Sequence, residues 1–164
     1  MDANNVTAIC ATLIALLSLA VSFLEARAVR QHNRHAVRPL LELWTPRRHG
    51  DRTGIQLINQ GLGPAIITRT ILKLDGQVLG GWDQPTVDQM RASLPARPGA
   101  MTVRPPRAIP VGFHSFLLSL DDFDREQHAW FADLIKRRIQ IEIHYESLYG
   151  GENFKTTLHV DPPA

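Results

Sequence analysis

Hydrophobic residues fall along this chain in three rhythms, and each predicts a different element. The first is a continuous block. Val6–Leu24 (VTAICATLIALLSLAVSFL) holds 19 residues without a charge, a glycine or a proline. A bilayer's hydrocarbon core is about 30 Å thick and a helix rises about 1.5 Å per residue, so a run of this length crosses it. No breaker interrupts Glu25–Val37 (EARAVRQHNRHAV) before Pro39. Proline disfavours helix in the residue before it, which predicts one helix leaving the apolar block and stopping near Ala36–Val37.

The second rhythm is alternation, the signature of strands with one buried face. It marks Arg38–Trp44, Ile55–Asn59, and Ala65–Leu74 with the Asp75-Gly76 turn and the short return Gln77–Leu79. It returns in Phe113–Leu120, with Phe116, Leu118 and Leu120 on one face. It is clearest in Ile139, Ile141, Ile143 and Tyr145, followed by Phe154, Leu158 and Val160. Gly150-Gly151 fits a two-residue type I′ turn between these last strands. That register sets Ile141 opposite Val160 and Ile143 opposite Leu158. It also sets Glu142 opposite His159 and Glu146 opposite Lys155, two charge-complementary pairs.

The third rhythm is helical. Asp121–Arg137 begins with acidic residues, ends with Lys136 and Arg137, and gathers Phe123, Gln127, Trp130, Phe131 and Leu134 on one side. Val87–Leu94 predicts a shorter helix with Thr86 as its N-cap. Around it, Gly80–Gly112 holds six of the eleven prolines, and an edge strand is expected at Thr102–Arg104. The fold class follows: mainly β, an N-terminal transmembrane and juxtamembrane helix (residues 1–37), then a β-sandwich domain (residues 38–164). The sandwich has about seven or eight strands and one or two added helices.

Composition changes this picture little. Hydrophobic content of 44% and charged content of 21% fit a folded domain. A net charge of +2 is too small to argue for nucleic acid, which is not expected as a partner. The single cysteine, Cys10, lies in the apolar block, which excludes an internal disulfide and a cysteine zinc site.

Charge placement matters more. The N-terminal flank carries Asp2 and no basic residue, whereas Arg27, Arg30, Arg34 and Arg38 follow the block at 3-4-4 spacing. A cleaved signal peptide needs a basic n-region and a shorter apolar core, although Ala26-Arg27-Ala28 resembles a cleavage site. A retained anchor is the favoured reading. The positive-inside rule then places the N-terminus outside and the domain in the cytoplasm of a bacterial inner membrane. The four arginines are candidate contacts for anionic lipid headgroups, at about 1 kcal/mol per basic residue. Ala8, Ala11, Ala15, Ser18 and Ser22, spaced 3-4-3-4, form a small-residue seam for packing against a second copy or another membrane protein.

Catalytic signatures are scarce. Asn59-Gln60-Gly61-Leu62-Gly63-Pro64-Ala65 has the glycines of a phosphate loop, but strand formers follow it instead of a helix N-terminus. Thr45–Thr53 carries three arginines without interleaved aromatics, which reads as a solvated hairpin. Glu142, His144, His159 and Asp161 share one face in the expected register and are the candidates for acid–base or metal chemistry, although a solvated sheet face looks the same. His32 and His35 sit among arginines that oppose a cation, so no metal and no cofactor is expected. Trp82 is either a cover for the core or a possible partner contact.

The run Arg34-His35-Ala36-Val37-Arg38-Pro39, the Asn59-x-Gly61-x-Gly63-Pro64-Ala65 connection, and Ile109-Pro110-x-Gly112 before a strand together resemble small bacterial single-pass membrane proteins with an immunoglobulin-like sandwich. That resemblance implies a fold and not an activity. The two core cysteines of immunoglobulin domains are absent. The expected function is a non-enzymatic, membrane-anchored interaction or assembly module. A tethered sensor for a small molecule or ion is the second expectation, and a hydrolase using His144 and His159 the third.

Overall fold

The computed structural model describes residues 3–46 and 50–158. The chain forms two compact units, residues 1–36 and 37–164. The first is a single helix, α1 (Ala3–Ala36), which stops where Pro39 requires it to.

The second unit is sandwich-like, with two antiparallel sheets. Nine strands are present among the described residues: β1 (Leu41–Trp44), β2 (Thr53–Asn59), β3 (Ala65–Leu74), β4 (Gln77–Gly80), β5 (Gly99–Ala100), β6 (Arg107–Ile109), β7 (His114–Leu120), β8 (Ile139–Glu146) and β9 (Phe154–Thr157). One sheet runs β1-β2-β7-β5 and the other β4-β3-β8-β9. β8 lies along the whole length of β3. β6 and β4 therefore share the other edge of β3, one at each end.

The inner faces supply the core. Ile55 and Leu57 of β2 face Ile67 and Leu72 of β3 and Ile139, Ile141 and Ile143 of β8, all without exposed surface. β8 shows strict alternation of buried and half-buried positions, because one face packs and the other meets solvent. β7 breaks its alternation. Ile55 pairs with Leu118 and Gln56 with Phe116, so Leu117 is the extra residue of a β-bulge. Leu117 and Leu118 are both buried, whereas the alternating pattern placed Phe116, Leu118 and Leu120 together.

Asn59 organises the end of the sandwich that receives the chain from α1. Its side chain is buried and has five backbone partners. Its Nδ2 donates to the carbonyls of Gly63, Ile109 and Pro110, and its Oδ1 accepts from the amides of Leu40 and Gly61. The glycines of this connection allow close backbone approach. A Cβ on Gly63 would stand 1.8 Å from the Val37 carbonyl oxygen, and one on Gly61 would stand 2.2 Å from the Leu40 nitrogen.

Four sequence expectations are corrected. The short helix, α2 (Gln84–Ala92), begins earlier than expected, and its N-cap is Asp83, whose carboxylate accepts from the Thr86 amide. Pro85 opens its first turn because a missing N–H is harmless there. No strand forms at Thr102–Arg104. The edge pairing falls instead to β5 and β6.

The long helix over Asp121–Arg137 shrinks to α3 (Ala129–Asp133) and a wide π turn, Leu134–Arg138. Its first half is bent away by local bonds. Asp122 has φ of 51°, the Asp124 carboxylate accepts from the Glu126 and Gln127 amides, and Phe123 exchanges backbone bonds with Gly50 and Asp51. The π turn lets Leu134 and Ile135 both bury before β8 starts, while Arg138 forks onto Asp75 at 2.8 and 2.7 Å.

The last hairpin keeps its predicted faces but slips by two residues. Glu142 lies opposite Thr157 and His144 opposite Lys155. Gly150 and Gly151 both have positive φ, yet they belong to a wider loop. Glu152 accepts from the amide and hydroxyl of Ser147, and Glu146 accepts from the Gly151 amide, so side chains close the loop in place of a two-residue turn. A slip of two leaves inward residues inward, which is why the hydrophobic pattern did not resist it.

Candidate functional site

The residues singled out from the sequence land in separate places. Ala8, Ala11, Ala15, Ser18 and Ser22 lie on one uninterrupted helix, and all five are exposed. So are Arg27 and Arg30, while the side chain of Arg34 lies outside the described residues. Arg38 leaves that row. It follows the end of α1, its carbonyl accepts from the Leu62 amide, and its guanidinium lies 4.9 Å from the centroid of the Phe154 ring. Trp82 is corrected as a partner contact. It is fully buried, its indole N–H donates to the Met101 carbonyl at 2.7 Å, and its amide donates to Thr70 Oγ1.

The polar patch on the outer face of β8 is partly assembled. His144 Nε2 donates to Glu142 Oε1 at 2.5 Å, and Lys155 Nζ stands 3.7 Å from Glu142 Oε2. Arg69 is the β3 neighbour of His144. His159 and Asp161, the other expected members, lie outside the described residues. No three His, Cys, Asp or Glu side chains form a metal-holding group among the described residues.

The hydrogen bond from His144 holds the Glu142 carboxyl below the ordinary glutamate value, with partial desolvation opposing it and the charges of Lys155, His144 and Lys73 adding to it. A carboxyl lowered in the folded state stabilises above its unfolded pKa, and that contribution is lost as pH falls through the folded one. Glu142→Gln is therefore expected to lower the melting temperature at pH 7. The gap to wild type should close on acidification below about pH 4.3. Melting curves across that range check this, and a gap that stays constant contradicts the linkage.

A site the sequence did not announce lies on the outer face of the first sheet. Register sets Trp44, Gln56 and Phe116 side by side across β1, β2 and β7. His114 stands on the same face, one pair further along β7, and its Nε2 is 2.8 Å from Gln56 Oε1. Arg52, just before β2, places its guanidinium 5.8 Å from the Phe116 ring centroid and pairs with Asp121. Together with Pro46 and Asp51 these side chains line a cleft of about 250 Å³. Trp44 is half exposed, whereas Gln56 is only 5% exposed. The cleft is thus aromatic at its walls with a nearly buried amide as its floor. Alternation had grouped Phe116 with Leu118 and Leu120, and it is the bulge at Leu117 that turns Phe116 to the outer face. Nothing in the sequence showed that strands far apart in the chain would bring these positions together.

No family model, no curated protein and no solved structure matches this chain.

Proposed function

We propose that this protein is a membrane-tethered, non-enzymatic binding module, with α1 crossing a bacterial inner membrane and an immunoglobulin-like sandwich displayed in the cytoplasm. One observation carries the reading. Ala11–Arg30 of α1 is 20 residues long, apolar enough to cross a membrane, and none of it is buried. Exposed leucines such as Leu16, Leu17 and Leu19 in water would be strongly unfavourable, and lipid relieves that cost. The basic flank supports the orientation. The packing of one antiparallel sheet on another supports the sandwich class, which works without the cysteine pair because the β2, β3 and β8 core is continuous. The exposed small-residue row of α1 supports association with a second copy or another membrane protein.

The cleft beside Trp44 favours the second expectation, a ligand-binding tethered domain, within the same reading. The hydrolase reading rests on His144 and His159 together, and His159 lies outside the described residues.

Fractionation tests the tether. The full chain is expected to stay in the membrane pellet after an alkaline carbonate wash. Protease added to intact spheroplasts should leave the sandwich whole, and lysis should expose it. Recovery of a soluble form trimmed behind Ala28 would overturn both anchor and orientation.

A further inference from the structure

The outer-face cleft has a distinctive balance of hydrogen-bonding and aromatic capacity. Most of its polar groups are already engaged. Arg52 pairs with Asp121, Asp51 Oδ1 accepts from the Arg52 amide, and His114 Nε2 meets Gln56 Oε1. With Oε1 taken by His114, the Gln56 amino group has no partner among the described residues, although the residue is only 5% exposed. That amino group is reached from the cleft, since the buried side-chain atom without a partner among the described residues is Arg91 Nε, and an open donor at the floor of a cleft is a group a ligand can engage.

The walls indicate the ligand's shape. Neighbouring strands lie about 4.8 Å apart, so Trp44 and Phe116 leave the sheet about 10 Å apart with Gln56 between them. Two offset-stacked contacts of about 4.5–5 Å each span that distance with a single inserted ring. Such a ring meets the indole on one side. On the other it meets the phenyl ring or the guanidinium plane of Arg52, both of which are stacking surfaces for bases. A volume of about 250 Å³ sits below the usual range for drug-sized ligands and suits one small heterocycle.

We infer that this cleft binds a nucleobase-type ligand, a flat heterocycle stacked between Trp44 and Phe116 with an acceptor on its edge facing the Gln56 amide. A sugar fits less well, because its several hydroxyls would find too few free partners once buried. Among the described residues Arg52 is the cation that lines the cleft, and Asp121 and Asp51 offset its charge, so phosphate gains little from it. The inference extends the ligand-binding reading and does not depend on the membrane tether.

The test uses the full chain in detergent micelles, titrated separately with adenosine, guanosine, cytidine, uridine, adenosine monophosphate and glucose. Binding is followed by tryptophan fluorescence and by thermal shift. At least one nucleoside is expected to bind saturably with Kd below about 1 mM. The monophosphate should bind no more tightly than adenosine, and glucose should be silent. Trp44→Ala, at a half-exposed position outside the core, should keep its melting temperature and weaken binding tenfold or more. Gln56→Leu should weaken binding similarly and flatten the preference among the four nucleosides. Binding of glucose alone, silence of all four nucleosides, or a Trp44→Ala variant that binds like wild type would each overturn the inference. None of these outcomes bears on whether α1 holds the protein in the membrane.

Discussion

Asn59→Leu is expected to destabilise the sandwich by about 3–5 kcal/mol, at the upper end of single-substitution effects. The side chain is 1% exposed and bonds the backbone of three segments at once. These are the chain arriving from α1, the loop that follows β2, and the end of β6. Leucine has the same branched shape and number of side-chain heavy atoms and is bulkier, so no cavity forms. The loss comes from backbone groups left unpaired. The buried carbonyls of Gly63 and Ile109 and the buried amide of Gly61 lose their partner outright. Each such group costs about 1–3 kcal/mol, and the terms overlap because the loop relaxes as one unit. Against a typical domain stability of about 5–15 kcal/mol, this removes about a fifth or more. Urea unfolding of the full chain in micelles should show a lower midpoint with an unchanged slope. A loss under about 1 kcal/mol would mean that water replaces the amide and that Asn59 is not the organising residue of this end.

Trp82→Ala is the second large effect, expected at about 3–5 kcal/mol for truncation of a fully buried aromatic side chain. The indole does two things at once. It fills the core beside Val87 and Met90 of α2, and its N–H satisfies the Met101 carbonyl. Its own backbone bonds Thr70 Oγ1 and the Val103 amide, which fastens the proline-rich segment to β3. Truncation therefore opens a cavity and orphans a carbonyl, and α2 with its flanks should lose protection in hydrogen exchange before the sheets do. Trp82→Phe keeps most of the volume but loses the N–H, and should cost roughly half as much. If Trp82→Ala melted like wild type, the residue would be a surface element after all, and the core described around it would be wrong.

Trp44 and Trp82, two of the three tryptophans, show where residue type stops being informative. Trp82 sits among prolines, a setting that leaves a core role and an exposed contact both open, and it is buried. Trp44 sits in the best-patterned first strand and ends half exposed over a cleft. Their difference is a matter of what packs against each. For Trp82 that is the core beside α2, the helix that follows it at once, and for Trp44 it is the sheet's outward face. The arginines of Thr45–Thr53 illustrate the same point. Their stretch lacks interleaved aromatics, but β1 and β7 deliver Trp44 and Phe116 beside Arg52 through pairing across β2.

The sequence by itself determined the elements whose signals are local and strong. A 19-residue uncharged run and a proline bounded α1 because hydrophobic length and backbone sterics need no partner. Alternation assigned β2, β3 and β8, and the inward face of β8, because a two-residue period survives any even shift. What only the tertiary structure decided are the features in which local preferences compete with distant contacts. The bulge at Leu117, the slip of the last hairpin and the bending of Asp121–His128 out of a helix all arise where packing and side-chain bonds outweigh a weak local preference. The cleft belongs to this second group, since its floor and walls come from three strands whose adjacency is a property of the sheet and of no single stretch of chain.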